Sequence, residues 1–133
     1  MSTVMRGGTD TFTTEERTTL GLTATGGANA AVTATLPGVA GQFHHITSIS
    51  IQRAAAGALA GTAALEITST NLPGSLAWSV GNAMAAGGSV TDVRYEPAVP
   101  LRSSAVNVAT TIVCPAPGLG VIWRVTVTYY TAA

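Results

Sequence analysis

Two acidic residues in the second half of the chain are the first candidates for chemistry, because paired carboxylates can hydrolyse glycosidic bonds. Asp92 and Glu96 fall four residues apart on one predicted strand, and Arg94 lies between them. Side chains at this spacing share a strand face but are separated by roughly 13 Å, whereas glycosidase pairs span about 5 to 9.5 Å. We therefore interpret the three residues as a self-neutralising stripe of surface charge.

His44 and His45 are the obvious candidates for metal ligands. Adjacent residues of a strand point to opposite faces, so the two side chains cannot chelate one ion within a single chain. The sequence has no second histidine pair, and its one cysteine, Cys114, stands between an apolar strand and Pro115. We predict that one histidine is packed in the core and the other lies at the surface or an interface, and that Cys114 is a buried structural thiol.

Other catalytic patterns are missing from the sequence. No nucleophile elbow surrounds a serine, and no glycine-rich loop leads from a strand into a helix. Aromatic residues make up only 5% of the chain, so we predict that they anchor the core or interfaces rather than form a sugar-stacking platform. The sequence thus predicts no enzyme, no cofactor and no metal site. The aromatic residues considered are Trp78, Tyr95, Trp123, Tyr129 and Tyr130.

The final strand, residues 121–130, is the element around which the predicted fold is organised. Its odd positions, from Val121 to Tyr129, are apolar, and its even positions include Arg124, Thr126 and Thr128. This period of two is typical of a strand with one buried face. The length of the strand and its β-branched residues predict a place in the middle of a sheet.

Seven further strands are predicted before it. In the third of these, the odd positions from Phe43 to Ile51 would share one face. Ile46 breaks the alternation, which suggests either a bulge or a face that contacts a neighbour. Eight short strands with glycine and proline turns, and no convincing helix, predict an all-β fold, an eight-stranded antiparallel jelly-roll-like β-sandwich. An immunoglobulin-like sandwich is the alternative. The seven strands span about residues 18–25, 30–36, 42–53, 63–67, 76–80, 90–96 and 103–113.

The chain divides into an extended N-terminal arm, residues 1–17, and the sandwich domain, residues 18–133. The arm contains a flexible joint at Gly7-Gly8 and lacks the apolar segment of a signal peptide. No run in the chain approaches the roughly 18 to 20 apolar residues of a membrane span. We therefore expect the protein to be made in the cytoplasm and to contact no membrane.

Charge is scarce in this chain. Charged residues make up 9% of it, and six arginines balance six acidic residues, whereas about 25% is usual. A net charge of zero favours association, and large uncharged surfaces mark contacts. No lysine is present to guard the sheet edges, and six scattered arginines do not form a nucleic-acid site. The composition predicts a protein that assembles with other proteins; a monomer coated with threonine and serine is the alternative.

Four segments in about the last two-thirds of the chain form a recognisable pattern. They are 43–51 (FHHITSISI), 70–74 (TNLPG), 100–104 (PLRSS) and 121–130 (VIWRVTVTYY). Together they resemble small structural proteins of tailed bacteriophages, above all their jelly-roll capsid decoration (cement) proteins.

The resemblance implies a protein that binds the outside of an expanded phage head as a trimer and reinforces the shell. Its partners would be the major capsid protein and further copies of itself, and its location would be the exterior of the virion. The arm and the apolar loop 54–61 would then supply the contacts. An alternative is a receptor- or carbohydrate-binding module of a phage tail or fibre. The expected contact residues are Met5, Arg6, Phe12 and Arg17 in the arm and Ala54 and Leu59 in the loop.

Overall fold

The computed structural model describes residues 18–61 and 63–133. Within these residues the chain forms nine strands and one short 3-10 turn, Pro73–Ser75. The predicted arm, with its expected contact residues Met5, Arg6, Phe12 and Arg17, lies outside the described residues. The strands are β1 (Leu20–Thr25), β2 (Val32–Leu36), β3 (Phe43–Ala55), β4 (Ala64–Thr70), β5 (Trp78–Gly81), β6 (Ser89–Tyr95), β7 (Leu101–Arg102), β8 (Thr110–Cys114) and β9 (Val121–Ala132).

Two antiparallel sheets pack face to face as a sandwich. One has the strand order β1-β9-β3-β6, with β7 paired to β3, and the other has the order β2-β8-β4-β5. The pairs β1–β9, β2–β8, β3–β6 and β4–β5 are nested about the middle of the chain, like a long hairpin that has been rolled up. This is the jelly-roll arrangement. The predicted all-β jelly-roll sandwich is therefore confirmed, and the immunoglobulin-like alternative does not fit this strand order.

The short strand β7 is an addition to the predicted eight, and the predicted strand over residues 103–113 is too long. Residues 103–109 of that predicted strand form a loop, and β8 begins at Thr110. The side-chain amide of Asn71 holds this loop: its nitrogen donates to the carbonyls of Ala105 (3.2 Å) and Val108 (3.3 Å), and its oxygen accepts from the N–H of Ala105 (2.8 Å). Asn71 thus satisfies backbone groups that a neighbouring strand would otherwise have paired.

The final strand lies where the sequence predicts. β9 pairs with β1 on one side and with β3 on the other. Trp123 is fully buried, and its indole N–H donates to the carbonyl of Pro115 at 2.7 Å. All the predicted odd positions are buried, which confirms the period-two interpretation; they are Val121, Trp123, Val125, Val127 and Tyr129.

A bulge at Thr47 divides β3 into two parts with opposite alternation. Thr47 is an extra residue relative to the partner strand β9. After the bulge the odd positions are buried as predicted, but before it His44 and Ile46 are buried instead. The prediction that Phe43, His45 and Thr47 share one face with Ile49 and Ile51 is therefore wrong, because one inserted residue reverses which side chains point inward.

Candidate assembly surface

Four loops meet at one end of the sandwich. They connect β1 to β2 (residues 26–31), β3 to β4 (56–63), β5 to β6 (82–88) and β8 to β9 (115–120). None of these loops contains a charged residue; they consist chiefly of glycine and alanine. We call this surface the neutral end.

Hydrogen bonds between the loops hold the neutral end in one arrangement. Leu59 and Met84 exchange two backbone hydrogen bonds, of 2.8 and 2.9 Å. Asn29 joins the 26–31 loop to the 115–120 loop and the start of β9: its N–H donates to the carbonyl of Val121 at 2.8 Å, and its side-chain oxygen accepts from the N–H of Gly118 at 3.0 Å. Loops held in this way are ordered before a partner binds, which lowers the entropic cost of association.

A small apolar cluster lies beneath these loops. Ala55, Met84 and Val121 are buried in it, and Leu59 packs against them. Gly118 adopts φ +114° and comes so close to Leu59 that a Cβ at this position would collide with the leucine side chain, so only glycine fits here. Leu59, which the sequence predicts as a contact residue, is thus half buried by its own chain and supports the loops from below.

A groove of about 510 Å³ lies beside the neutral end, on the outer face of the sheet that contains β9. Ala54, the other predicted contact residue of the loop, lines this groove together with Ile122 and Arg124. Ile122 is 42% exposed, and Leu119, in the nearby 115–120 loop, is 81% exposed. The neutral end and the groove therefore present apolar side chains to solvent, with Arg124 as an exposed charge beside them.

The opposite end of the sandwich is organised by a polar network around His44. The buried His44 ring donates from Nε2 to the carbonyl of Pro37 at 2.8 Å, and its Nδ1 lies 2.7 Å from the hydroxyl of Thr110. Thr110 also accepts a hydrogen bond from the Asn71 amide at 3.0 Å. Because a carbonyl can only accept, the donor at Nε2 follows from the geometry. One histidine is therefore packed in the core, as predicted.

The second histidine, His45, lies on the outer face of the sheet that contains β3 and β9. It belongs to a group of side chains that we call the aromatic cluster, namely Phe43, His45, Arg102 and Tyr130. The rings of His45 and Tyr130 are stacked, with centroids 4.8 Å apart. The guanidinium of Arg102 lies 4.4 Å from the centroid of Phe43. The two adjacent histidines thus point to opposite faces of the sheet, as predicted, and cannot bind the same metal ion.

Asp92 does not belong to a surface stripe. Its carboxylate accepts two hydrogen bonds from Arg53, of 2.6 and 2.8 Å, and the two side chains are only 3% and 7% exposed. Arg94 and Glu96, in contrast, form a loose exposed pair 4.0 Å apart. The predicted stripe is wrong for Asp92. The pairing register of β3 with β6 shifts at Asp92, and a bulge of this kind changes the direction in which its side chain points.

Cys114 is buried, as predicted. Burial, with a smaller contribution from the charge of Asp92, raises the pKa of its thiol to about 12. The thiolate that nucleophilic attack requires is therefore scarce at neutral pH. Across residues 18–61 and 63–133, no three His, Cys, Asp or Glu side chains gather in a way that could hold a metal ion, and no helix has the length and apolarity to cross a membrane.

The loops 26–31, 82–88 and 115–120 were not singled out by the sequence-based reasoning, although they make up most of the neutral end. A signal was present: each is rich in glycine and alanine and carries no charge. What the sequence does not contain is their convergence, which depends on how the strands are paired.

Comparisons of the chain with protein-family models, with curated proteins and with solved structures found no match.

Proposed function

We propose that this chain is a structural virion protein that binds the outer surface of a phage capsid and stabilises it, as a decoration or cement protein. The observation that carries the proposal is the neutral end. A rigid, uncharged surface with Leu119 exposed on it is what a protein-binding site requires, because little charge has to be desolvated on contact. The partner in this proposal is the major capsid protein at the exterior of the virion, and the chain contacts neither nucleic acid nor a membrane directly.

Self-association is part of the same proposal. A homo-oligomer, with a trimer favoured, presents several neutral ends to the shell at once. Once one copy is bound, the next binds as an intramolecular event, so modest contacts add up to a strong attachment. Subunits of the shell that are bridged in this way resist being pulled apart.

The test is co-sedimentation of the purified protein with unexpanded and expanded phage heads, with two matched variants. Leu119→Asp places a charge on the neutral end, and Val99→Asp places the same charge between β6 and β7, away from the neutral end. The two positions are similarly exposed, at 81% and 77%, so neither change should affect folding. We expect saturable binding to expanded heads by the unmodified protein and by Val99→Asp.

We expect Leu119→Asp to bind at least about tenfold more weakly, because a buried unpaired charge costs more than the 1.4 kcal/mol that corresponds to a factor of ten. Binding through an uncharged surface should also change little between low and high salt. Equal binding by the two aspartate variants would refute the assignment of the neutral end. Absence of binding to either kind of head would refute the capsid function itself.

The aromatic cluster supports a second candidate function, a receptor- or carbohydrate-binding module of a phage tail or fibre. Its rings lie on the outer face of a sheet, where sugars can stack on them. Tyr130 is stacked on His45, whereas Tyr95 packs edge-on against Trp78 beside the core, so this candidate rests on Tyr130 and its neighbours. A glycan array probed with the unmodified protein and with Tyr130→Ala separates this function from capsid binding.

A further inference from the structure

The edges of the two sheets differ in how they are protected. β6 has an irregular register beside Asp92, carries the exposed Arg94, and is followed by Glu96 and Pro97. Bulges, charges and prolines are the features that keep an edge strand from pairing with another chain. β5 is only four residues long. These two edges are therefore poor templates for an added strand.

β1 and β2 have none of these guards within their strands. The inward side chains of β2, which are Val32, Ala34 and Leu36, are nevertheless already buried. Those of β1 are not: Leu22 and Ala24 are only partly buried at the margin of the core, and Leu20 is 42% exposed. The described part of the chain thus leaves β1 as a six-residue, uncharged edge that lacks both a hydrogen-bonding partner and apolar cover on its free side.

The sequence before β1 does not favour a strand folded back from the same chain. A tight hairpin with β1 would need a turn just before Leu20, and such turns favour Gly, Asn or Asp at positions with positive φ. Residues 15–19 are Glu, Glu, Arg, Thr and Thr and contain none of these. A strand supplied by another molecule needs no turn at this position.

We propose that residues 9–14 of a second copy of this chain add to the free edge of β1 as an antiparallel or parallel strand. This segment has six residues, like β1, and four of them are threonine, a good strand former. In an extended conformation Phe12 points to the face opposite Thr11 and Thr13, so its ring can cover Leu22 and Ala24, and Asp10 and Thr14 flank the ring on the same face. Main-chain hydrogen bonds along the added strand then supply affinity.

Donation of an arm from each copy to the next is a head-to-tail contact, which closes into a ring when the rotation between copies allows it. The inference rests on the proposed function only in taking the protein to be a homo-oligomer. It adds to that function the segment and the edge that would join the copies.

Disulfide trapping tests the inference without phage heads. Three variants of the full chain carry a cysteine in the arm (Thr9→Cys, Thr11→Cys or Thr13→Cys), so that one matches the register. Each is mixed with a differently tagged copy that carries Thr23→Cys, an exposed position of β1, or Thr91→Cys, an exposed position on the guarded β6 edge. The native Cys114 is fully buried and does not compete.

We expect at least one arm variant to form a disulfide-linked heterodimer with Thr23→Cys, in several-fold higher yield than with Thr91→Cys, and we expect Phe12→Ala in the arm to reduce that yield. Equal yields at the two edges, or none at Thr23, would overturn the inference. A disulfide formed within one chain, in a double variant at high dilution, would also overturn it. Because no capsid is present, the result is independent of the head-binding assay: trapping without head binding refutes the proposed function alone, and head binding without trapping refutes this inference alone.

Discussion

The buried ion pair between Arg53 and Asp92 gives the sharpest test of the structure, because the sequence alone suggested a different role for Asp92. In Asp92→Ala the guanidinium of Arg53 loses both of its hydrogen bonds to the carboxylate and keeps one hydrogen bond, to the carbonyl of Gly81 at 2.8 Å. It also remains near the ring of Trp123, with 5.4 Å to the centroid. The variant therefore leaves a charge in the core with little compensation.

The expected cost follows from this geometry. Removing one partner of a buried ion pair destabilises a protein by about 3–5 kcal/mol. The remaining contacts of Arg53 with Gly81 and Trp123 place the expected loss at the lower end, about 3 kcal/mol. For a chain of this length that loss corresponds to a decrease in Tm of roughly 10 °C. Glu96→Ala is the matched control: its pair with Arg94 is exposed, so the expected loss is below about 1 kcal/mol.

The assay is urea unfolding followed by tryptophan fluorescence, since Trp123 is fully buried and lies beside the pair. The double variant Arg53→Met with Asp92→Ala should be more stable than Asp92→Ala alone, because removing the second charge also removes the desolvation penalty. If Asp92→Ala costs no more than Glu96→Ala, the buried pair is not present in solution and the surface-stripe interpretation is correct.

Three further predictions follow from other parts of the molecule. Gly118→Ala should destabilise the domain by about 1–3 kcal/mol in urea unfolding, because Gly118 has a positive φ and an added Cβ would collide with Leu59. Leu59→Ala, combined with Gly118→Ala, should relieve the part of this cost that comes from the collision. Gly27→Ala is the control and should have little effect, because a Cβ at Gly27 meets no other atom. The thiol of Cys114 should not react with a thiol reagent at pH 8 until the protein is unfolded. Because its pKa is raised to about 12 from 9.0, the stability that it contributes is present below pH 9 and lost as pH rises from about 9 to 12, a decline that should be smaller in Cys114→Ala. Deletion of residues 1–17 should leave a folded domain by circular dichroism that no longer assembles by native mass, and normal assembly of the truncated protein would contradict a role for the arm.

Much of the architecture could be predicted from local patterns. The alternation along β9, from Val121 to Tyr129, predicted its buried face. Its length and its β-branched residues predicted its central position, where backbone groups are paired on both edges. The irregularity at Ile46 pointed to the bulge that the structure has one residue later. The buried character of Cys114 followed from its place at the end of an apolar strand.

Features that depend on residues distant in sequence became visible only in the folded structure. Arg53 and Asp92 are 39 positions apart, and only the β3–β6 register brings them together. Sequence reasoning placed Asp92 at the surface because spacing along one strand says nothing about the neighbouring strand. Similarly, the loop before Thr110 was predicted to be part of a strand. The hydrogen bonds from the Asn71 side chain that hold this loop join residues far apart in sequence, so a local pattern cannot reveal them.

The neutral end combines both kinds of information. The absence of charge from the four loops can be read directly from their residues. The jelly-roll pairing of β1 with β9, β2 with β8, β3 with β6 and β4 with β5 decided that these loops meet at one end. The physical reason is that each loop is placed by the register of its flanking strands, and register is set by cross-strand packing rather than by the loop's own residues.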